Sequence, residues 1–434
     1  MLDRYTTPEM KKIFSEERKF FYWLLTEIAV LKVRYRIGEL KESVPENLIE
    51  KIGIDPKEIN RIEKEVTKHD VVAFLSYVSP QFPEGLRPWL HKGLTSYDIG
   101  DTSLSLQMRE SIVQLSKTIS KLMEVVKKIA EKYKYTPEIG RTHGIHAEPI
   151  SFGVKLANWY DELKRHARRL KHLKETISVG KISGAVGMYT LDPKIEEMVC
   201  EELELQPIIA TQIVSRDIVA EYMTTLGIIC ASIGKFALNI RLLSQTEIGE
   251  VMESFSKNQK GSSAMPHKQN PISSENICSL MRTACSYVPT AYENLANCWH
   301  ERSLDNSGSE RVLIPDIASL LDFSMNRLTG VLENMGAFPE IMMDNLNFTK
   351  GLIFSQEVMM LVASKSPNRE IAHTLVRDIA LECKKNHTDF LQALLAHTEI
   401  KKMGIDEKEL SECFNLDSKL RHIDYIFKKV FNND

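Results

Sequence analysis

An all-α fold, built around a central bundle of long antiparallel helices, is predicted from three features of the sequence. The first is a set of apolar stripes at helical spacing. Met108, Ile112, Leu115, Ile119, Leu122, Val126 and Ile129 step 4-3-4-3-4-3. Phe152, Leu156, Trp159, Leu163, His166, Leu170, Leu173 and Ile177 do the same with one polar member, as do Met223, Leu226, Cys230, Ile233, Ala237 and Ile240. Such stripes form the seams of helices packed nearly side by side. The second feature is the near absence of strand-like alternation, with Ile177-Ser178-Val179 and its neighbours the sole weak candidate. The third is punctuation: loops rich in glycine and proline separate the stripes, which favours a bundle over a solitary coiled coil. Leu104, Val113, Val125 and Ile229 lie off the main stripes, so each helix is expected to carry a second apolar face, available for subunit association.

Taken in order, the chain divides at about residues 100 and 350. Thr7-Pro8-Glu9 reads as a helix start, with a hydroxyl at the N-cap, proline at the first helical position and an acid in the first turn. Shorter helices then run to about residue 100, with Pro80, Pro83 and Pro88 marking a connecting loop. Residues 101–350 hold the long helices. Beyond, in residues 351–434, helices are short again, broken at Ser366-Pro367 and Gly404. The three predicted domains are therefore 1–100, 101–350 and 351–434.

Bulk composition excludes more than it assigns. The 434 residues are 43% hydrophobic and 26% charged, ordinary for a globular protein with substantial cores. A formal charge of −3 gives no case for nucleic acid or a membrane surface as partner. An anionic substrate must therefore be held by local cations. The start, Met1-Leu2-Asp3-Arg4-Tyr5, lacks a signal-peptide pattern, and no later run reads as long enough to span a bilayer. Seven cysteines without CxxC pairs indicate reduced thiols in a cytoplasmic protein.

Polar interruptions of the helical pattern mark the candidate sites. Thr67-Lys68-His69-Asp70 lies inside a stretch that otherwise reads as helix, and an exposed polar turn is the plain alternative. In His91-Lys92-Gly93-Leu94-Thr95-Ser96-Tyr97-Asp98, two hydroxyls and an acid precede a long helix. They suit both N-capping and anion binding, because a helix N-terminus favours negative charge. Gly140-Arg141-Thr142-His143-Gly144-Ile145-His146 joins two striped helices. Its HxxH lacks the helical HExxH context, so acid/base work is preferred and no metal or cofactor is predicted. Gly180-Lys181-Ile182-Ser183-Gly184 has the look of a phosphate loop, but its lysine comes too early and no strand precedes it. Arg302 and Arg311, with Ser307 between them, can clamp a phosphate through planar paired donors; internal salt bridges to Glu301, Asp305 and Glu310 are the competing reading. Thr211-Gln212 is a weaker pair at an expected helix start.

The densest polar cluster is Gly261-Ser262-Ser263-Ala264-Met265-Pro266-His267-Lys268-Gln269-Asn270-Pro271. Two prolines and a glycine set its shape, and hydroxyls, imidazole, ammonium and carboxamide converge in it. The segment resembles the signature loop of the fumarase/aspartase superfamily, whose members eliminate fumarate or a close analogue. With Ala264 and His267-Lys268 it is most similar to the adenylosuccinate lyase family. Fumarases and aspartases usually carry a small residue at the place of His267, and argininosuccinate lyases a glutamine. Gln269 departs from the arginine often found in the family. Gly144 and Ala147 also fit adenylosuccinate lyases better than fumarases.

The resemblance extends from Arg4-Tyr5 to about Leu361, and it implies cleavage of a succinylated purine nucleotide into fumarate and the free amine. Adenylosuccinate would give AMP, and the succinylated imidazole-carboxamide ribotide its amide. By the same resemblance His143 is the general acid and Ser262 the general base. Arg4, Tyr5, Lys68, His69, Asp70, Thr95, Ser96 and Gln212 match substrate-binding positions, as do Lys268, Asn270 and Glu275. Arg302, Ser307 and Arg311 match positions that hold the nucleotide phosphate. The resemblance further implies a homotetramer with sites shared between subunits. Two other readings remain: a 3-carboxy-cis,cis-muconate cycloisomerase-like enzyme, and a catalytically silent structural protein on the same bundle.

Overall fold

A computed structural model describes residues 2–254, 265 and 267–431. Helices dominate them, as the stripes predict, and the backbone forms two compact units, each assembled from three separated segments. The first unit comprises Met1–Ser120, Arg165–Lys235 and Asn276–Arg327; the second comprises Lys121–Lys164, Phe236–Glu275 and Leu328–Asp434.

The chain opens with α1 (Pro8–Ile13), whose N-cap Thr7 accepts a hydrogen bond from the Met10 amide. The longer α2 (Glu16–Arg36) follows, capped by Ser15. Phe20, Trp23 and Leu24 of α2 pack on Phe74, in α3 (Asp70–Val78), to form an apolar core for the N-terminal segment. The stretch before α3 is not continuous helix. A π-turn over Glu63–Thr67 ends at Lys68 in the left-handed region (φ 54°), His69 is extended, and α3 begins afresh at Asp70. The break lifts Lys68 and His69 out of the helical pattern and exposes both.

The three striped helices are α4 (Ser96–Lys132), α5 (Phe152–Ile177) and, later, α6 (Asp217–Leu243). Their seams are buried almost throughout: Ile112, Leu115, Ile119, Leu163, Leu170, Met223, Leu226 and Ile233 are all fully inaccessible. The polar member of the α5 stripe, His166, is buried with its Nε2 2.9 Å from the Ser232 hydroxyl, so its place in the core is satisfied.

Two features differ from expectation. Pro137–Thr142 (β1) and Ile145–Ser151 (β2) form an antiparallel hairpin between α4 and α5, with a register shift between Ile139 and Arg141. Its two-residue turn is His143-Gly144, both with positive φ (54° and 78°), the backbone that a tight hairpin turn requires. Glycines and prolines at 137, 140, 144 and 149 broke the alternation that would have revealed these strands. Two further pairs are short: Val179–Gly180 with Gln206–Pro207, and Val251–Met252 with Gly336–Ala337.

The second difference concerns α6, which by length and composition is apolar enough to cross a membrane, although half of its most apolar window is buried inside the fold. A helix at the core of a protein is apolar nearly all round for the same reason as a membrane span. One stripe of α6 stays uncovered: Ile228, Ala231, Lys235, Leu238 and Leu242 step 3-4-3-4, and Ile228, Leu238 and Leu242 are each 44–45% exposed.

Candidate active site

In the first unit, four of the sequence-predicted residues line one cavity of about 330 Å³: Asp70, Ser96, Ser307 and Arg311. Each arrives from a different element. Asp70 starts α3, Ser96 starts α4, and Ser307 and Arg311 stand on the first turns of α8 (Asp305–Asn334), which follows α7 (Ile272–Ser286) in the chain. Arg311 donates to Asp70 at 2.8 Å, and Asp70 lies 3.4 Å from His69 Nδ1. His69 Nε2 in turn is 3.5 Å from the Ser96 hydroxyl. A second linked group adjoins through Tyr97, which also lines the cavity. The Arg302 guanidinium stacks on the Tyr97 ring at 3.8 Å and donates to Gln212 at 3.3 Å. Its buried Nε has no hydrogen-bond partner among the described residues. A buried donor left unpaired is costly, and an incoming acceptor removes that cost.

The floor of this cavity is a buried ion network. Arg216 donates to both oxygens of Asp101, at 2.9 and 3.0 Å, and its Nε is 3.0 Å from Glu310. Glu310 also accepts from Asn306 at 2.9 Å. Asp101 is on α4 and Glu310 on α8, and Arg216 directly precedes α6, so three segments meet through one guanidinium.

A neighbouring ion pair fixes the start of α4. Asp98 accepts the Thr95 amide at 2.7 Å, half of a capping box, which places Thr95 and Ser96 at a helix N-terminus. The other Asp98 oxygen takes the Lys181 ammonium at 2.5 Å and the Gly184 amide at 3.1 Å, all fully buried. The Gly180–Gly187 stretch is thus a brace for the α4 terminus, and its lysine is committed to protein.

Other predicted residues stand apart. Lys68 is exposed, its ammonium bonded to the Lys64 carbonyl. Arg4 and Tyr5 lie on a single turn, Asp3–Tyr5, with Tyr5 edge-on to Phe323 at 5.6 Å. His143, Lys268, Asn270 and Glu275 fall in the second unit. Ser262 lies outside the described residues, as do Gly261, Ser263, Ala264 and Pro266 of the signature loop.

His143 stands exposed at the tip of the β1–β2 hairpin, over a compact charge cluster. Arg141, two residues back, makes a paired contact with Glu250 at 2.7 and 2.9 Å, and Asn345 donates to the same carboxylate at 2.9 Å. Glu138 is fully buried and pairs with Lys155, with the Glu250 carboxylate close enough to act on its charge. Burial pushes the Glu138 carboxyl up to about 7, against the pull of Lys155, and the Glu250 charge pushes the same way. Burial would raise Glu250 too, but hydrogen bonds from Arg141 and Asn345 outweigh it and hold Glu250 low.

The sequence reading missed Tyr97, Asp101 and Arg216, and took Lys181 only as a loop residue. Asp101 carried a usable signal, since a charged residue in line with the apolar seam of α4 demands a partner, and Arg216, just ahead of the α6 stripe, offered one.

Residues 39–289 match the family described as Lyase, and residues 351–430 match the family described as Adenylosuccinate lyase C-terminus. The chain is 41% identical over 432 residues to the adenylosuccinate lyase of Bacillus subtilis (strain 168), covering 99% of each. It is equally similar, with the same coverage, to the adenylosuccinate lyase of Staphylococcus saprophyticus. Among solved structures, a fumarate lyase from Mesorhizobium sp. BNC1 superposes with a TM-score of 0.89 at 24% identity over the whole of both chains, a likeness of fold. A 3-carboxy-cis,cis-muconate lactonizing enzyme from Pseudomonas putida follows at 0.85 and 26% identity, over 98% of this chain and 96% of that one.

Two outcomes are expected. Arg216→Ala strands two buried carboxylates and is expected to cost about 3–5 kcal/mol in urea unfolding; an unchanged midpoint would remove the network from its structural role. Glu138 binds its proton more tightly folded than unfolded, so its stabilisation is full below about pH 4.5 and is lost as pH rises through about 7. The melting temperature of Glu138→Gln should therefore gain on the wild type between pH 5 and 8, and parallel profiles would contradict the assignment.

Proposed function

The chain belongs to the adenylosuccinate lyase family, and on that premise we propose that it cleaves adenylosuccinate to AMP and fumarate in purine nucleotide biosynthesis. The observation that carries this reading is the 41% identity across 99% of the chain. The cavity on the first unit supports it: hydroxyls and guanidinium groups converge there at a helix N-terminus, the equipment for a phosphorylated ligand. The muconate reading rests on a more distant likeness, 26% identity, and its substrate carries no phosphate for Arg302 and Arg311 to hold. Cleavage of the succinylated imidazole-carboxamide ribotide is proposed as a second activity of the same site.

The chemistry is a β-elimination. A proton beside a carboxylate is removed, the negative charge spreads onto that carboxylate, and the C–N bond breaks. We assign proton removal to Ser262 and protonation of the departing nitrogen to His143. Lys268 and Asn270, with Thr95 and Ser96 at the α4 terminus, are assigned to the charge that develops on the carboxylate. A serine hydroxyl is a weak base, so its alkoxide needs Lys268 or backbone amides close by. Lys68, His69, Asp70 and Gln212 are assigned to the substrate, as are Arg4, Tyr5 and Glu275; Arg302, Ser307 and Arg311 are assigned to its phosphate.

The site is proposed to be completed between subunits of a homotetramer. The uncovered 3-4-3-4 stripe of α6 supports association of helices from different copies. A cytoplasmic location is proposed for a purine-pathway enzyme of this kind. The division of the chain near residues 100 and 350 is also proposed, supported by separate apolar clusters over Phe20–Ile99 and Val358–Leu410.

Purified protein should convert adenylosuccinate to equimolar AMP and fumarate, read by absorbance and chromatography, at a mass of four 49.6 kDa chains. Ser262→Ala and His143→Gln should each lower kcat by about 10²-fold or more with little change in binding. Near-normal turnover by Ser262→Ala would sink its role as base, and an active monomer would sink the shared site.

A further inference from the structure

One cation in the first-unit cavity has no assigned task. Lys19, on the first turns of α2, lines the cavity together with Ser96, Ser307 and Arg311. The other cations around it each have a carboxylate partner within the protein. Arg216 serves Asp101 and Glu310, and Arg311 serves Asp70. Among the described residues, Lys19 has no carboxylate within ion-pair distance. Its ammonium lies instead over the rings of Phe20 and Trp23, at 4.4 and 5.1 Å from their centres. Glu16, Asp70 and Glu63 act on it only from farther off.

Such a placement is unfavourable in the empty protein. Burial, and next the repulsion of the Arg311 guanidinium, hold the Lys19 ammonium below the usual lysine range. Ring contacts recover part of the cost of desolvation. Arg311 gives one nitrogen to Asp70 and Glu16 stays beyond ion-pair distance of Lys19, so a multiply charged anion in this space offers both cations a direct partner at once. A phosphate monoester fits that description, since it carries nearly two charges and three acceptor oxygens.

Resting on the lyase reading above, we propose that Lys19 binds the substrate directly, pairing with Arg311 across the phosphate of the nucleotide. Lys19 supplies the point charge and Arg311 the planar fork. Phe20 and Trp23 keep the ammonium pointed into the cavity, so the lysine stem loses little freedom on binding.

Lys19→Met tests this, because it keeps the apolar stem over the rings and removes the charge. It should raise the KM for adenylosuccinate and the Ki of AMP about tenfold or more, with kcat within about threefold of wild type. Lys19→Arg should restore most of the affinity. Adenosine, which lacks the phosphate, should inhibit both proteins equally. Inorganic phosphate should raise the melting temperature of the wild type more than that of Lys19→Met. An AMP Ki within about twofold of wild type overturns the proposal, as does an equal loss for adenosine. A loss confined to fumarate also overturns it, placing the ammonium at the carboxylate end. If the wild type fails to cleave adenylosuccinate, yet phosphate stabilises it and not Lys19→Met, the lyase reading falls and the anion site stands.

Discussion

The first unit is organised by a charge that has been taken out of water. Arg216 is 3% exposed and must be neutralised where it sits, which it is by Asp101 and Glu310. An ion network of this kind gives little net stability compared with an apolar substitute, but it tolerates few alternative geometries. Each partner brings its own neighbourhood. Asp101 belongs to the helix that begins at Thr95 and Ser96, and Glu310 lies one residue before Arg311. Satisfying one guanidinium therefore sets the registers of α4 and α8 at the same point as it sets the cavity. Asp98 and Lys181 repeat the device a turn away, with the ammonium fully enclosed.

How much of this was legible follows the physics of each signal. Helical stripes are read from spacing alone, and the buried seams of α4, α5 and α6 lie where the spacing put them. The cap at Thr7 was legible because a hydroxyl, a proline and an acid in sequence have few other uses. The β1–β2 hairpin was not, because its strands are short, contain prolines and derive their pairing from a His-Gly turn. The interruption at Lys68 was legible as a polar run inside a helical stretch, but its backbone was not: a left-handed lysine costs energy locally and is held by contacts that spacing does not encode. Candidate site residues were found by their chemistry and by resemblance. Which of them share a cavity required the fold, since Asp70 and Arg311 are 241 residues apart in the chain.

The two units solve the problem of mounting polar groups differently. In the first, predicted ligands sit on helix starts, where amide groups and the helix dipole already favour anions. In the second, His143 rides on a hairpin tip, and the rigidity comes from below through Arg141, Glu250 and Asn345. The turn with two positive φ angles sets the direction in which the His143 side chain leaves the backbone before any ligand arrives.

The interleaving of the units bears on how the molecule is made. Asp101 and Arg216 leave the ribosome long before Glu310, and the first unit needs all three. At about 5–20 residues per second, several seconds or more pass in which the first two segments of that unit exist without the third. The second unit opens before the first is complete and closes only near the C-terminus. Helices with exposed apolar seams must wait through that interval, as substrates for chaperones or for each other. Because segments of the two units alternate along the chain, no single cut separates one unit whole from the other.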